Sequence, residues 1–248
     1  MIELKSMREI EAMRKPNQLV AGLHKELKKM IKPGVTTMEI EKFAIRYAKK
    51  HGAETSLIGY KGFQFATCAS VNDVVAHGFP SDKPLKSGDI VTIDTVFDVD
   101  GWKGDSAWSY AVGEVSEEAK QLLKVTEECL YIGIEQAVIG NRIGDISHAI
   151  QQHAEKYGYG IVMELAAHGI GRNIHEEPSF LHAGLPGKGV RLKEGMTFTI
   201  EPMLNIGERH IYIEEDGWTA RTSDGSLSAQ YEHTIAITKE GPIILTKQ

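Results

Sequence analysis

The chain has 248 residues, 42% of them hydrophobic, enough to bury a sizeable core as one large domain or two small ones. Its 28 basic residues are outnumbered by 34 acidic ones, for a formal net charge of -6, and they are interspersed rather than run together, which argues against nucleic acid as a ligand. Cys68 and Cys129 are too few for a disulfide framework, Met1 to Ser6 opens no signal peptide, and no apolar stretch approaches the roughly 18 residues of a membrane span; a cytoplasmic protein is expected.

From residue 7 to 32, Ile10, Met13, Val20, Leu23, Leu27 and Ile31 keep a helical rhythm interrupted only by Pro16, and Pro33-Gly34 ends it. A second helix follows, with Thr36 and Glu39 at capping-box spacing, Ile40, Phe43, Ala44 and Tyr47 on one face, and Gly52 as its stop. From Gly88 to Gly113 the pattern is a β-hairpin turning at Asp100-Gly101.

About 106 positions later the helix pair recurs, with Gly140, Ile146, Ala154, Lys156 and Gly158 standing where Gly34, Ile40, Ala48, Lys50 and Gly52 stand. Leu85 to Asp94 likewise matches Leu192 to Glu201, sharing Leu, Lys, Gly, Thr and Ile and ending on an acid, and His77-Gly78-Phe79-Pro80 matches His175-Glu176-Glu177-Pro178. Amphipathic helices and strands share patterns for physical reasons, but three matches in one order point to a duplicated chain, with halves at roughly 7–113 and 115–240. Two such halves packed face to face would form one domain over residues 1–248, with a central cleft fed by both and helices covering the far side of a curved sheet.

A two-residue turn at Asp100-Gly101 sets Asp94 opposite Ala107, so Asp105, two residues away, is its diagonal neighbour on the same face. Two acids on a solvent face would be unremarked; on the buried face of a Val- and Ile-rich sheet they would cost several kcal/mol unless a cation sat between them. Glu201 stands at the repeat position of Asp94 in a strand that wants burial, and Glu232 lies in a strand-like run from Gln230 to Ile237 that is the counterpart of the one bearing Asp105. Four carboxylates and the imidazole of His168, set among the glycines of Gly169-Ile170-Gly171, would suit two divalent ions; such a set does not select among Mn, Fe, Co, Ni and Zn. A lone His is more often structural. The glycines do not complete a nucleotide-binding fingerprint, and His175-Glu176-Glu177-Pro178 lacks the second His of a zincin helix.

Taken together, Asn72 to Gly78, Ile93-Asp94 with Gly104-Asp105, His168 to Gly171, Ile200-Glu201-Pro202 and Gln230 to Thr234 resemble the type I methionine aminopeptidases over nearly the whole chain. The resemblance implies the pita-bread α/β (α+β) fold, a curved antiparallel β-sheet covered by helices with an internal pseudo-twofold repeat. It implies a two-metal hydrolase that removes the initiator methionine, with Asp94, Asp105, His168, Glu201 and Glu232 as metal ligands and Glu201 also as proton shuttle. His77 and His175 would contact substrate from opposite sides of the scissile bond, and Tyr60, Phe63, Cys68 and Trp218 would wall the methionine pocket, where ordinary core aromatics and a buried thiol are the plain alternative. Its partners would be N-terminal Met peptides and nascent chains, and the ribosome is a further candidate; no nucleic acid and no membrane are expected.

The sequence departs from the family at Val96, where many members carry Thr or Ser, and at Leu57 and Ile174, where some carry Cys and Phe. Between Glu176 and Glu201 there is no space for the helical insertion of the type II enzymes. Two rivals are an Xaa-Pro aminopeptidase or dipeptidase, whose members usually add an N-terminal domain not expected here, and a non-catalytic peptide- or ribosome-binding protein on the same fold.

Overall fold

The computed structural model describes residues 1–248. Helix α1 (Met7–Met30) starts on a capping box of Ser6 and Glu9, and α2 (Thr37–Lys50) on the expected one of Thr36 and Glu39, each pair satisfying two otherwise orphaned amides. Contrary to the expected interruption, α1 runs through Pro16. The carbonyl that Pro16 deprives of a partner belongs to Ala12, which is exposed, so water can take it. Pro16 itself is buried against Gly104, where a Cβ would lie 2.5 Å from the α1 backbone; only glycine allows helix and strand to approach so closely.

Strands β1 (Glu54–Thr55), β2 (Thr67–Val71), β3 (Val74–Ala76), β4 (Ile90–Val99) and β5 (Trp102–Ala111) complete the first half. The second repeats the order with α3 (Glu117–Glu135), α4 (Ile143–Glu155), β6 (Gly160–Ile161), β7 (Ala167–Gly169), β8 (Glu176–Phe180), β9 (Thr197–Ile200), β10 (Met203–Asn205), β11 (Ile211–Ile213), β12 (Ala220–Thr222), β13 (Ser228–Gln230), β14 (His233–Thr238) and β15 (Gly241–Ile244). Matched glycines share their backbone conformation: φ is 94° at Gly34 and 103° at Gly140, 69° at Gly52 and 72° at Gly158, 100° at Gly88 and 86° at Gly195. This is the pita-bread architecture of helices outside antiparallel sheets.

One sheet is ordered β1-β4-β2 with β5 also on β4, and its counterpart is β15-β14-β9-β7-β8. Beneath α1 and α2, Val20, Leu23, Leu27, Ile40 and Ala44 pack on Val91, Ile93 and Phe97; beneath α3 and α4, Leu122, Leu130, Ile146 and Ile150 pack on Phe198, Ile200 and Ile235. Burying a side chain such as Phe97 or Phe198 contributes about 2 kcal/mol. The period of two along β4 that buries Val91, Ile93 and Phe97 under the helices turns Asp94 and Val96 to the other face, into the space between the sheets. Across that seam Ser109 Oγ donates to the Gln230 carbonyl at 2.8 Å and Thr234 Oγ1 to the Asp105 carbonyl at 2.8 Å, tying the halves together. No helix is long and apolar enough to cross a membrane.

Candidate metal centre and substrate cleft

The hairpin register is the one expected from the turn: Asp94 pairs with Ala107 and Val96 with Asp105, placing the two acids diagonally on the cleft face. Asp100 and Gly101 both adopt positive φ, 55° and 77°, as a two-residue hairpin turn requires. On its other side Asp94 pairs with Cys68 of β2.

From the second half come His168 on β7, Glu201 one residue past β9, and Glu232. The expected continuous strand through Glu232 is not formed. β13 ends at Gln230 and β14 begins at His233, because the Glu232 amide leaves the ladder to donate to the Ala107 carbonyl on β5 at 2.8 Å. That break brings a second-half carboxylate to the first-half acids.

Ligand atoms of Asp105, His168 and Glu232 all lie within 4.8 Å of one another. His168 Nε2 is 3.8 Å from Asp105 Oδ2 and 3.6 Å from Glu201 Oε1. Its Nδ1 donates to the Gly169 carbonyl at 3.0 Å, which leaves Nε2 with a lone pair toward the acids. Thr199 Oγ1 accepts the His168 amide at 3.1 Å and donates to Glu201 Oε1 at 2.6 Å, while Gln230 Nε2 reaches Glu201 Oε2 at 3.4 Å.

Asp105, Glu201 and Glu232 are buried, and no lysine or arginine pairs with any of the four acids. Desolvation raises all four carboxyl pKa values, and for Asp105, Glu201 and Glu232 the neighbouring carboxylates push them further up. Burial pulls the His168 imidazole down to about 4, keeping it neutral. Asp94 Oδ1 and Asp105 Oδ1 are shut off from solvent and have no hydrogen-bond partner. Unpartnered carboxylate oxygens around a neutral imidazole are what divalent cations satisfy, so these residues fit a metal centre.

The five side chains line a cleft of about 280 Å³, and the same cleft is lined by Tyr60, Phe63, Cys68, His77, His175 and Trp218, so every candidate residue from the sequence is brought to it. Phe63 and Trp218 meet edge to face at 5.1 Å, His77 stands edge-on to Trp218 at 6.0 Å, and His175 lies 4.1 Å from the His168 ring. His77 holds φ at 58°, a conformation that costs a β-carbon residue about 1 kcal/mol. Leu57, Val96 and Ile174, the three departures from the family pattern, are all in this wall, as is Met203.

Two supports were not singled out from sequence. His182, fully buried, accepts the Glu201 amide on Nε2 at 3.0 Å. Lys5, whose side chain is 1% exposed, pairs with Glu176 beside His175 at 2.7 Å.

The family model for metallopeptidase family M24 matches residues 11–239. Over 247 residues, all of both chains, the sequence is 48% identical to methionine aminopeptidase 1 of Bacillus subtilis, and it is 48% identical to methionine aminopeptidase A of Synechocystis over 99% of this chain and 97% of that one. The crystal structure of methionine aminopeptidase from Rickettsia prowazekii superposes with a TM-score of 0.98 at 44% identity, covering 99% of this chain and all of the other. With a family model spanning most of its length and relatives near half identical from end to end, the chain belongs to metallopeptidase family M24, in its type I methionine aminopeptidase branch.

Proposed function

We propose that this chain hydrolyses the peptide bond after an N-terminal methionine, releasing the initiator residue from new polypeptides. The observation that carries the proposal is one cleft in which four acids, three of them buried, and a neutral imidazole adjoin an apolar wall of Phe63, Met203 and Trp218. Residues 1–248 are read as a single catalytic domain, with pseudo-repeat halves at roughly 7–113 and 115–240.

As a member of a metallopeptidase family the chain takes divalent metal. Asp94, Asp105, His168, Glu201 and Glu232 would hold two ions, drawn from Co, Mn, Fe, Zn and Ni. Bound there, divalent cations supply Lewis acidity that lowers the pKa of water and polarises a carbonyl. Glu201 takes a proton from the attacking water and delivers it to the leaving amine as the C–N bond breaks and the C–O bond forms. His175 donates to the carbonyl oxygen as that oxygen gains charge, and His77 holds the amide of the following residue. Tyr60, Phe63, Cys68 and Trp218 enclose the methionine side chain, with Leu57, Val96 and Ile174 setting the shape of the pocket. Nascent chains in the cytoplasm are the proposed substrates, and the ribosome the proposed place of encounter.

Metal-stripped protein reloaded with each ion and offered Met-Ala-Ser and an Xaa-Pro peptide tests the reading. Methionine release from the first alone is expected. Xaa-Pro cleavage without methionine release would assign the sibling activity.

A further inference from the structure

The last residue of β9 on the ladder is Ile200, paired with His233 of β14. Continued by one step, the ladder would set Glu201 opposite Glu232. Instead the Glu232 amide crosses to Ala107, and Pro202 follows with no amide to give. Along this run the Met196 carbonyl bonds β14 through the Ile237 amide and the Thr197 carbonyl bonds the β7 side through the Ile170 amide, so by alternation the Glu201 N–H points to the β7 side. There the β7–β9 pairing stops at Gly169 and Phe198, and the acceptor is Nε2 of His182, two residues beyond the end of β8, at 3.0 Å.

His182 has no exposure and does not line the cleft. Accepting on Nε2 requires a lone pair there, which puts the single ring proton of the neutral imidazole on Nδ1. That Nδ1 is itself buried without a protein partner, so the ring bears a desolvation cost that an apolar residue of similar size would avoid. Packing does not account for an imidazole at this position; the bond to the Glu201 peptide does.

We propose that His182 is a positioning residue for Glu201. It fixes the peptide while Thr199 Oγ1 holds one carboxylate oxygen and Gln230 Nε2 the other. This rests on the reading of Glu201 as metal ligand and proton carrier. His182 touches neither substrate nor metal, so its effect passes entirely through the Glu201 backbone.

The test titrates metal-stripped wild type, His182→Leu and His182→Gln with Mn2+ in a calorimeter and records the visible spectra of the three proteins loaded with Co2+. Leucine offers no acceptor and should weaken Mn2+ binding about tenfold or more and shift the Co2+ bands, whereas the glutamine amide oxygen can stand in for Nε2 and should restore affinity to within about threefold with a wild-type spectrum. Wild-type affinity and spectrum in His182→Leu, or a glutamine variant as impaired as the leucine one, would overturn the proposal. Ring 15N NMR of the wild-type protein decides independently should His182→Leu not fold: a neutral ring protonated on Nδ1 supports the contact, and a ring protonated on Nε2 overturns it. Glu201→Ala serves as the control, because unchanged Mn2+ affinity there would remove the ligand role of Glu201, and the proposal with it, whatever the His182 variants show.

Discussion

The Tyr60 hydroxyl lies 2.7 Å from Nδ1 of His175, and the two rings stack with centroids 5.5 Å apart. With the hydroxyl donating, the proton of the His175 ring resides on Nε2, the nitrogen left to bond a substrate oxygen. Tyr60→Phe keeps the stacked ring and removes this control. Its kcat should fall about tenfold, the equivalent of about 1.4 kcal/mol, while metal content stays that of the wild type. Steady-state kinetics with metal analysis check this, and an unchanged kcat would show that Tyr60 serves only as wall.

His77 lines the cleft, but no carboxylate of the candidate centre lies within ion-pairing distance of it. His77→Ala should therefore retain full metal content and lose about a hundredfold in kcat. Loss of metal instead would make His77 a ligand.

Lys5, buried, pairs with the half-buried Glu176 as well as with the exposed Glu3, so removing the lysine leaves the Glu176 carboxylate partly desolvated with the Asn173 amide as partner. Lys5→Met should lower the free energy of unfolding by about 1–2 kcal/mol, and adding Glu176→Gln should recover part of the loss, since the second change removes the orphaned charge. Denaturant titration of both variants measures it; equal, additive losses would contradict the pairing.

Burial pulls the imidazole of His24 from its ordinary 6.5 to about 4, and the ring is tied to the Tyr110 hydroxyl at 2.7 Å and the Ser106 carbonyl at 3.0 Å. Between those pH values the unfolded chain binds a proton that the native chain refuses. The stability due to this neutral ring is full above about pH 6.5 and is lost as pH falls toward 4, by about 3 kcal/mol at the limit. Denaturant midpoints followed down this range should fall more steeply for wild type than for His24→Gln; equal slopes would contradict the prediction.

The parts of the site legible in sequence are those fixed by local rules. Asp100-Gly101 sets a hairpin register, and the register places Asp94 and Asp105 without knowledge of the rest. Glycines at repeat positions keep the same positive φ because the turns they serve are the same, which made the duplication visible. His182 and Lys5 were not legible, since their partners are a backbone amide 19 residues on and a carboxylate 171 residues on, and no periodicity marks a side chain that bonds to main chain. The break at Glu232 escaped for a related reason: an alternating apolar run reads as one strand, and the amide of Glu232 leaves it only because Ala107 of the other half supplies an acceptor.

Counting bound ions while measuring methionine release from Met-Ala-Ser, as Mn2+ is returned to metal-stripped protein, tests the central claim most directly. Release should be absent from the stripped chain and rise with occupancy toward about two ions per chain, and Asp105→Asn should lose both metal and activity. Stripped protein that releases methionine at the full rate, or an Asp105→Asn variant that keeps its metal and its turnover, would contradict the account.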